Sequence, residues 1–218
     1  MYPDWLAPNV ITLAGLIVPI IQLFTIAYFS PNFTGVLPNW VLFLNALSNF
    51  WYMTLDATDG KQARRTDNCS PLGQILDHNL DQFTQTCFMV GVLAMLQTGP
   101  NIWTILAFTP GVMSMHYSVE YRTHFTNFHQ LVVGFLGSTE QLCIVISITL
   151  LGYFSDKSSD VYLTEVPIPG IDQKLKIRDF VLIFSLLGGL HYNIENIIMG
   201  YLAAKQKGYA LACLFPYA

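Results

Sequence analysis

The chain has 218 residues, of which 53% are apolar and 11% charged, where soluble domains average about a quarter charged. That balance argues against an ordinary soluble enzyme. With 10 Lys and Arg against 14 Asp and Glu, the net charge of −4 leaves no role for nucleic-acid binding driven by bulk charge. Four cysteines (Cys69, Cys87, Cys143, Cys213) are scattered without a CxxC pair, so reduced, buried thiols are expected.

A bilayer core about 30 Å thick needs about 20 residues of helix. Apolar runs lie at 10–29, 40–55, 74–98, 102–119, 139–154 and 179–204. They predict an all-α fold: a polytopic integral membrane helical bundle of about six transmembrane helices. The whole of 1–218 reads as a single membrane domain, without repeats or linkers. The first run lacks the basic flank of a signal peptide, and several more follow it. Residues 130–137 read as a re-entrant or interfacial stretch, and a further apolar run begins at 209–218. Lys61, Arg64, Arg65, Arg122, Lys205 and Lys207 fall on one side if the spans alternate, which predicts a cytosolic face there. The loop 155–178 carries both signs of charge and fits the opposite side less well.

Ionised groups are costly at membrane depth, yet five acidic residues lie between positions 56 and 81. Asp56 and Asp59 are spaced i, i+3, and Asp77 and Asp81 i, i+4, so each pair shares a helix face. The break at Cys69-Ser70-Pro71 folds the second helix back on the first. Carboxylates converging from two helix ends repel one another unless a hard cation joins them. Mg²⁺ prefers a few carboxylates together with phosphate oxygens of a substrate. Gly60, Ala63 and Gly73, small residues beside the acids, allow close backbone approach and leave room for a bulky ligand. Acids lining a proton or ion pathway are the rival reading, against which Pro71 and the Arg64-Arg65 pair count.

The pattern Asp56-x2-Asp59-Gly60-x2-Ala63-Arg64-x8-Gly73-x3-Asp77-x3-Asp81 resembles the full signature of the CDP-alcohol phosphotransferases. The string 59–66 with 70–73 and Asp77-His78 is similar to the eukaryotic choline and ethanolamine phosphotransferases in particular. Trp5-Leu6-Ala7-Pro8-Asn9, just before the first apolar run, resembles their N-terminal segment. The resemblance is strong over about residues 5–83. Relative to that family the chain looks short at both ends, and about four spans fewer are expected.

The resemblance implies transfer of phosphocholine or phosphoethanolamine from CDP-choline or CDP-ethanolamine to diacylglycerol, releasing CMP. It implies Mg²⁺ or Mn²⁺ held by Asp56, Asp59, Asp77 and Asp81. Gly60, Ala63 and Gly73 match positions packed around the cytidine nucleotide. Arg64 matches the motif arginine near the phosphates, with a lipid-headgroup contact as its alternative role, and Asn9 is either a nucleotide contact or a residue that opens the helix. An ER or Golgi membrane protein with a cytosol-facing site, among membrane lipids and with a homodimer allowed, completes the expectation. An inactive short form that binds nucleotide or regulates a full-length partner is the alternative.

The acceptor hydroxyl must lose a proton, and the resemblance offers Asp81 or His78 as base. An imidazole titrates near neutrality and suits the task. Its orienting partner one turn earlier is Gln74, where the relatives carry a glutamate, and Asn79 replaces a glycine. Elsewhere, His116, His124, His129 and Glu120 cluster by sequence near the end of the fourth span and read mainly as boundary residues. His191, Asn193, Glu195 and Asn196 form a polar patch in the sixth, read as helix–helix hydrogen bonding or as a functional carboxylate.

Overall fold

The computed structural model describes residues 2–127, 132–133, 136–167 and 174–208. Helix dominates: α1 (Pro8–Gly15), α2 (Ile17–Phe29), α3 (Asn39–Arg65), α4 (Pro71–Met95), α5 (Ile102–Thr126), α6 (Ser138–Phe154) and α7 (Ile177–Gln206). Among the described residues, extended structure forms two small antiparallel pairs, β1 (Val132–Val133) with β2 (Leu136–Gly137), and β3 (Glu165–Pro167) with β4 (Lys174–Lys176). Of the stretch anticipated as re-entrant at 130–137, only β1 and β2 are described. The run 209–218 and His129 lie outside the described residues.

The chain divides into two compact units, 1–100 with 139–177, and 101–138 with 178–218. In the first unit, Pro8 opens α1, where its missing N–H costs nothing. The first apolar run is broken at Leu16, which separates α1 from α2. α3 carries Arg64 and Arg65 in its last turn, where cations complement the helix dipole. After a turn through Asp67 at φ 53°, Ser70 caps α4 by accepting from the Gly73 N–H at 3.1 Å, with Pro71 at the first helical position.

Leu16, Tyr52 and Phe88 form a core cluster on which Ile20, Leu80 and Leu142 pack. Beside this apolar core, Gln22, Asn45, Asn49 and Thr84 are also buried. Gln22 Nε2 donates to the Cys87 carbonyl at 3.2 Å, and Asn49 Nδ2 to the Asn45 carbonyl at 2.8 Å. A Cβ at Gly91 would come within 2.4 Å of Gln22 Nε2 and 2.5 Å of Asn45 Oδ1, so α4 approaches these amides only because it carries glycine there. Away from the acidic end, Tyr162 is fully buried and donates to the Ile148 carbonyl at 2.5 Å. Ser158 and Ser159 tie Leu37 by hydrogen bonds of 2.6 and 2.9 Å.

In the second unit α5 and α7 touch where a Cβ at Gly200 would lie 2.6 Å from Tyr121 Cε1 and 3.2 Å from Arg122 Cα. Asn193 Nδ2 donates to Ser114 Oγ at 2.7 Å, and Arg122 Nη1 to Asn196 Oδ1 at 3.2 Å. Two members of the polar patch therefore serve helix–helix hydrogen bonding. His191 and Glu195 instead form an i, i+4 pair at 3.8 Å on the outer face of α7.

Two described helical stretches are long and apolar enough to cross a membrane: Pro8–Phe29, with mean hydropathy 2.3, and α7, with 1.3. α6 is apolar but shorter. α3 and α4 owe part of their polarity to buried side chains such as Asn45, Asn49 and Thr84. Outward-facing residues are apolar in quantity: Phe24, Tyr28, Ile183, Phe184, Leu187 and Ile194 are all exposed. Exposed apolar side chains in each unit, with polar side chains buried beneath them, suit lipid better than water.

Candidate functional site

The last turns of α3 and the first turns of α4 bring the acidic residues together. Asp56, Asp59 and Asp77 each offer a carboxylate oxygen, and these three lie within 4.8 Å of one another. At that spacing each like-charged pair repels by on the order of 3 kcal/mol at an effective dielectric near 20. Asp77 Oδ1 is buried and has no hydrogen-bond partner. A crowded set of hard oxygen donors with an orphaned buried oxygen fits a divalent cation, which removes the repulsion and supplies the missing partner. Among the described residues this is the group that could hold a metal ion; the histidines near the end of α5 form no comparable set.

Asp59 is the most anchored of the three. It is 5% exposed, accepts from Thr12 Oγ1 of α1 at 2.6 Å on Oδ2, and accepts from the Gly60 N–H at 2.5 Å on Oδ1. Asp81, one turn beyond Asp77, lies within hydrogen-bonding range of the Asp56 carboxylate and within electrostatic reach of Asp59 and Asp77. Its Oδ1 accepts a hydrogen bond from the Tyr52 hydroxyl.

Beside the acids opens a cleft of about 490 Å³, within the range of small-molecule sites. All five residues expected to contact the nucleotide line it: Asn9, Gly60, Ala63, Arg64 and Gly73. Asp59, Asp77 and Gln74 share the wall. A Cβ at Gly73 would lie 3.2 Å from Ser70 Oγ and 3.4 Å from Asn9 Oδ1, so α1 closes over the start of α4 at this glycine. At Gly60 a Cβ would meet only Arg64 Nη1, at 3.6 Å. His78 follows Asp77 on α4 and interacts with it electrostatically; Asp56, His78 and Asp81 are not among the lining residues.

Three contributions escape the sequence reading. Thr12, not singled out there, buttresses Asp59, and Ser70, read there only as part of the break, caps α4. Gln62 and Arg65 lash the N-terminal segment to α3. Gln62 Nε2 donates to the Pro3 and Leu6 carbonyls at 2.9 and 3.1 Å, and Arg65 pairs with Asp4 at 2.9 Å and donates to the Tyr2 carbonyl. This clamp places Pro8 and Asn9 at the cleft. The signal lay in the Gln and second Arg of the 59–66 string, but nothing local names their partners some sixty residues away.

Two apposed helices thus present an acidic cluster beside a small-residue cleft, in an apolar helical chain. The chain belongs to the CDP-alcohol phosphatidyltransferase family, whose profile matches residues 5–167. It is 33% identical to cholinephosphotransferase 1 of Mus musculus over 196 residues, 89% of this chain and 46% of that protein. Cholinephosphotransferase 1 of Danio rerio is 34% identical over 196 residues, 89% of this chain and 48% of its own. Choline/ethanolaminephosphotransferase 1 of Saccharomyces cerevisiae is 29% identical over 213 residues, 95% of this chain and 51% of its own. The chain thus spans about half the length of the curated relatives it matches. The family generally uses divalent metals, and the acidic trio is the matching feature here.

Proposed function

We propose that the chain transfers phosphocholine or phosphoethanolamine from CDP-choline or CDP-ethanolamine to diacylglycerol, releasing CMP. The observation that carries this reading is the joining of the Asp56–Asp59–Asp77 trio to a cleft lined by Asn9, Gly60, Ala63, Arg64 and Gly73.

The acceptor hydroxyl oxygen forms a bond to the phosphorus bearing the alcohol, the pyrophosphate P–O bond breaks, and CMP leaves with that electron pair. Asp56, Asp59, Asp77 and Asp81 would hold Mg²⁺ or Mn²⁺. When bound, such ions neutralise charge on the pyrophosphate and on the leaving phosphate. Thr12 fixes Asp59 against rotation. Gly60, Ala63 and Gly73 keep the cleft clear for the nucleotide, with Asn9 as a hydrogen-bonding partner, and Arg64 adds positive charge beside the phosphates. The acceptor proton passes to His78 or to Asp81.

In this reading the chain crosses the membrane six times, with α1 and α2 as the first span, then α3, α4, α5, α6 and α7. The polar donor reaches the acids from the cytosol and the acceptor from the bilayer, in an ER or Golgi membrane. A homodimer is compatible with this arrangement. The experiment is a transfer assay in microsomes, with labelled CDP-choline and CDP-ethanolamine in parallel and Mg²⁺ or Mn²⁺ varied. Labelled phospholipid that depends on diacylglycerol and metal is expected; its absence with both donors overturns the reading.

A second reading is favoured by Gln74, an amide on the cleft wall where the resembling enzymes carry a carboxylate. In it the chain binds the CDP-alcohol without turning it over. Metal-dependent nucleotide binding with no labelled lipid identifies that case.

A further inference from the structure

Tyr52 lies one helical turn before Asp56 on α3 and is 6% exposed. Its ring is held by Leu16, between α1 and α2, and by Phe88 of α4, the latter edge-on with centroids 5.8 Å apart. On the remaining side a Cβ at Gly15 would stand 3.3 Å from Tyr52 Cδ2, so α1 presses on the ring through a glycine. A phenol gripped from two neighbouring helices has little freedom to turn its hydroxyl elsewhere. That hydroxyl donates to Asp81 Oδ1.

The consequences for Asp81 are chemical. An ionised carboxylate only accepts hydrogen bonds, whereas a neutral phenol donates one. The bond occupies Oδ1, fixes the carboxylate plane, and leaves Oδ2 as the oxygen free of this contact. It also draws off part of the charge that Asp81 adds to the trio. None of this follows from the spacing of the acidic motif, which lacks Tyr52.

We propose that Tyr52 is a positioning residue for Asp81: its hydroxyl pins Oδ1 so that Oδ2 alone serves the cations. The inference rests on the transferase reading of the same site, but it makes a claim about metal affinity that does not need turnover.

The test is a double-mutant cycle on the full chain in lipid nanodiscs: wild type, Tyr52→Phe, Asp81→Asn and the double variant. Tyr52→Phe keeps the ring that fills the core and removes only the hydroxyl. Mn²⁺ affinity is read by electron paramagnetic resonance, and transfer is assayed alongside. Tyr52→Phe is expected to shift Mn²⁺ affinity about tenfold, the usual scale for an outer hydrogen bond to a metal-site carboxylate. In the Asp81→Asn background it is expected to have no further effect, a coupling that a purely structural role for the tyrosine does not produce. Equal shifts in the two backgrounds, or no shift in the first, overturn the proposal. If the wild type binds Mn²⁺ and transfers nothing, the transferase reading fails, and the Mn²⁺ cycle alone decides for or against Tyr52.

Discussion

Thr12 Oγ1 donates to Asp59 Oδ2 at 2.6 Å, joining α1 to the acidic end of α3 across 47 positions of sequence. Asp59 is thereby held from two sides, since its other oxygen accepts from the Gly60 N–H. A carboxylate fixed in this way needs no reorganisation when a cation arrives. Thr12→Val keeps the shape of the side chain and removes the hydroxyl. It is expected to weaken Mn²⁺ binding by about ten- to a hundredfold and to leave membrane insertion intact, as measured by metal titration and carbonate extraction.

The trio itself gives a sharper outcome. Asp56→Asn, Asp59→Asn and Asp77→Asn each retain volume and lose one negative charge. Each is expected to lower transfer by on the order of a hundredfold or more, with excess Mn²⁺ restoring only part of it. Wild-type rates in any one of them remove that residue from the metal set.

Gly73 sits where a Cβ already meets Ser70 Oγ at 3.2 Å and Asn9 Oδ1 at 3.4 Å. Gly73→Val is therefore expected to close the cleft and raise the KM for the CDP-alcohol tenfold or so, about 1.4 kcal/mol of binding. Thermal stability is expected to fall less than in Gly91→Ala, whose Cβ would lie within 2.5 Å of two buried amide atoms, Gln22 Nε2 and Asn45 Oδ1. The latter crowds a packed interior and is expected to cost about 1–3 kcal/mol, read as a lowered Tm in detergent.

The choice of base separates on three variants. With His78 as base, His78→Ala lowers turnover by about 10² to 10⁴ while CDP-alcohol binding changes little. Gln74→Glu then raises activity or widens its pH range, because a carboxylate one turn away stabilises the imidazolium. Full turnover in His78→Ala, with total loss in Asp81→Asn and metal still bound, assigns the proton to Asp81.

Topology is checked independently of chemistry. A single cysteine replacing Asn68, in the turn between α3 and α4, is expected to react with an impermeant reagent added from the cytosol. Labelling only from the lumen reverses the orientation drawn from Lys61, Arg64 and Arg65.

The helical class, the acidic motif and the family resemblance are legible in the sequence because each is written in local terms. Apolar run length sets a helix against a bilayer, and i, i+3 or i, i+4 spacing sets two carboxylates on one face whatever surrounds them. Asn9, Gly60, Ala63, Arg64 and Gly73, which stand out in the sequence, all line the cleft. Long-range packing is what leans Asp59 on Thr12, clamps the first residues of the chain through Gln62 and Arg65, and engages Asp81 with Tyr52. The same holds for the buried amides Gln22, Asn45 and Asn49, whose polarity lowers the apparent hydropathy of their helices while facing inward. These are contacts between helices distant in sequence, and a hydrogen-bonding side chain carries no local mark of which distant partner will meet it.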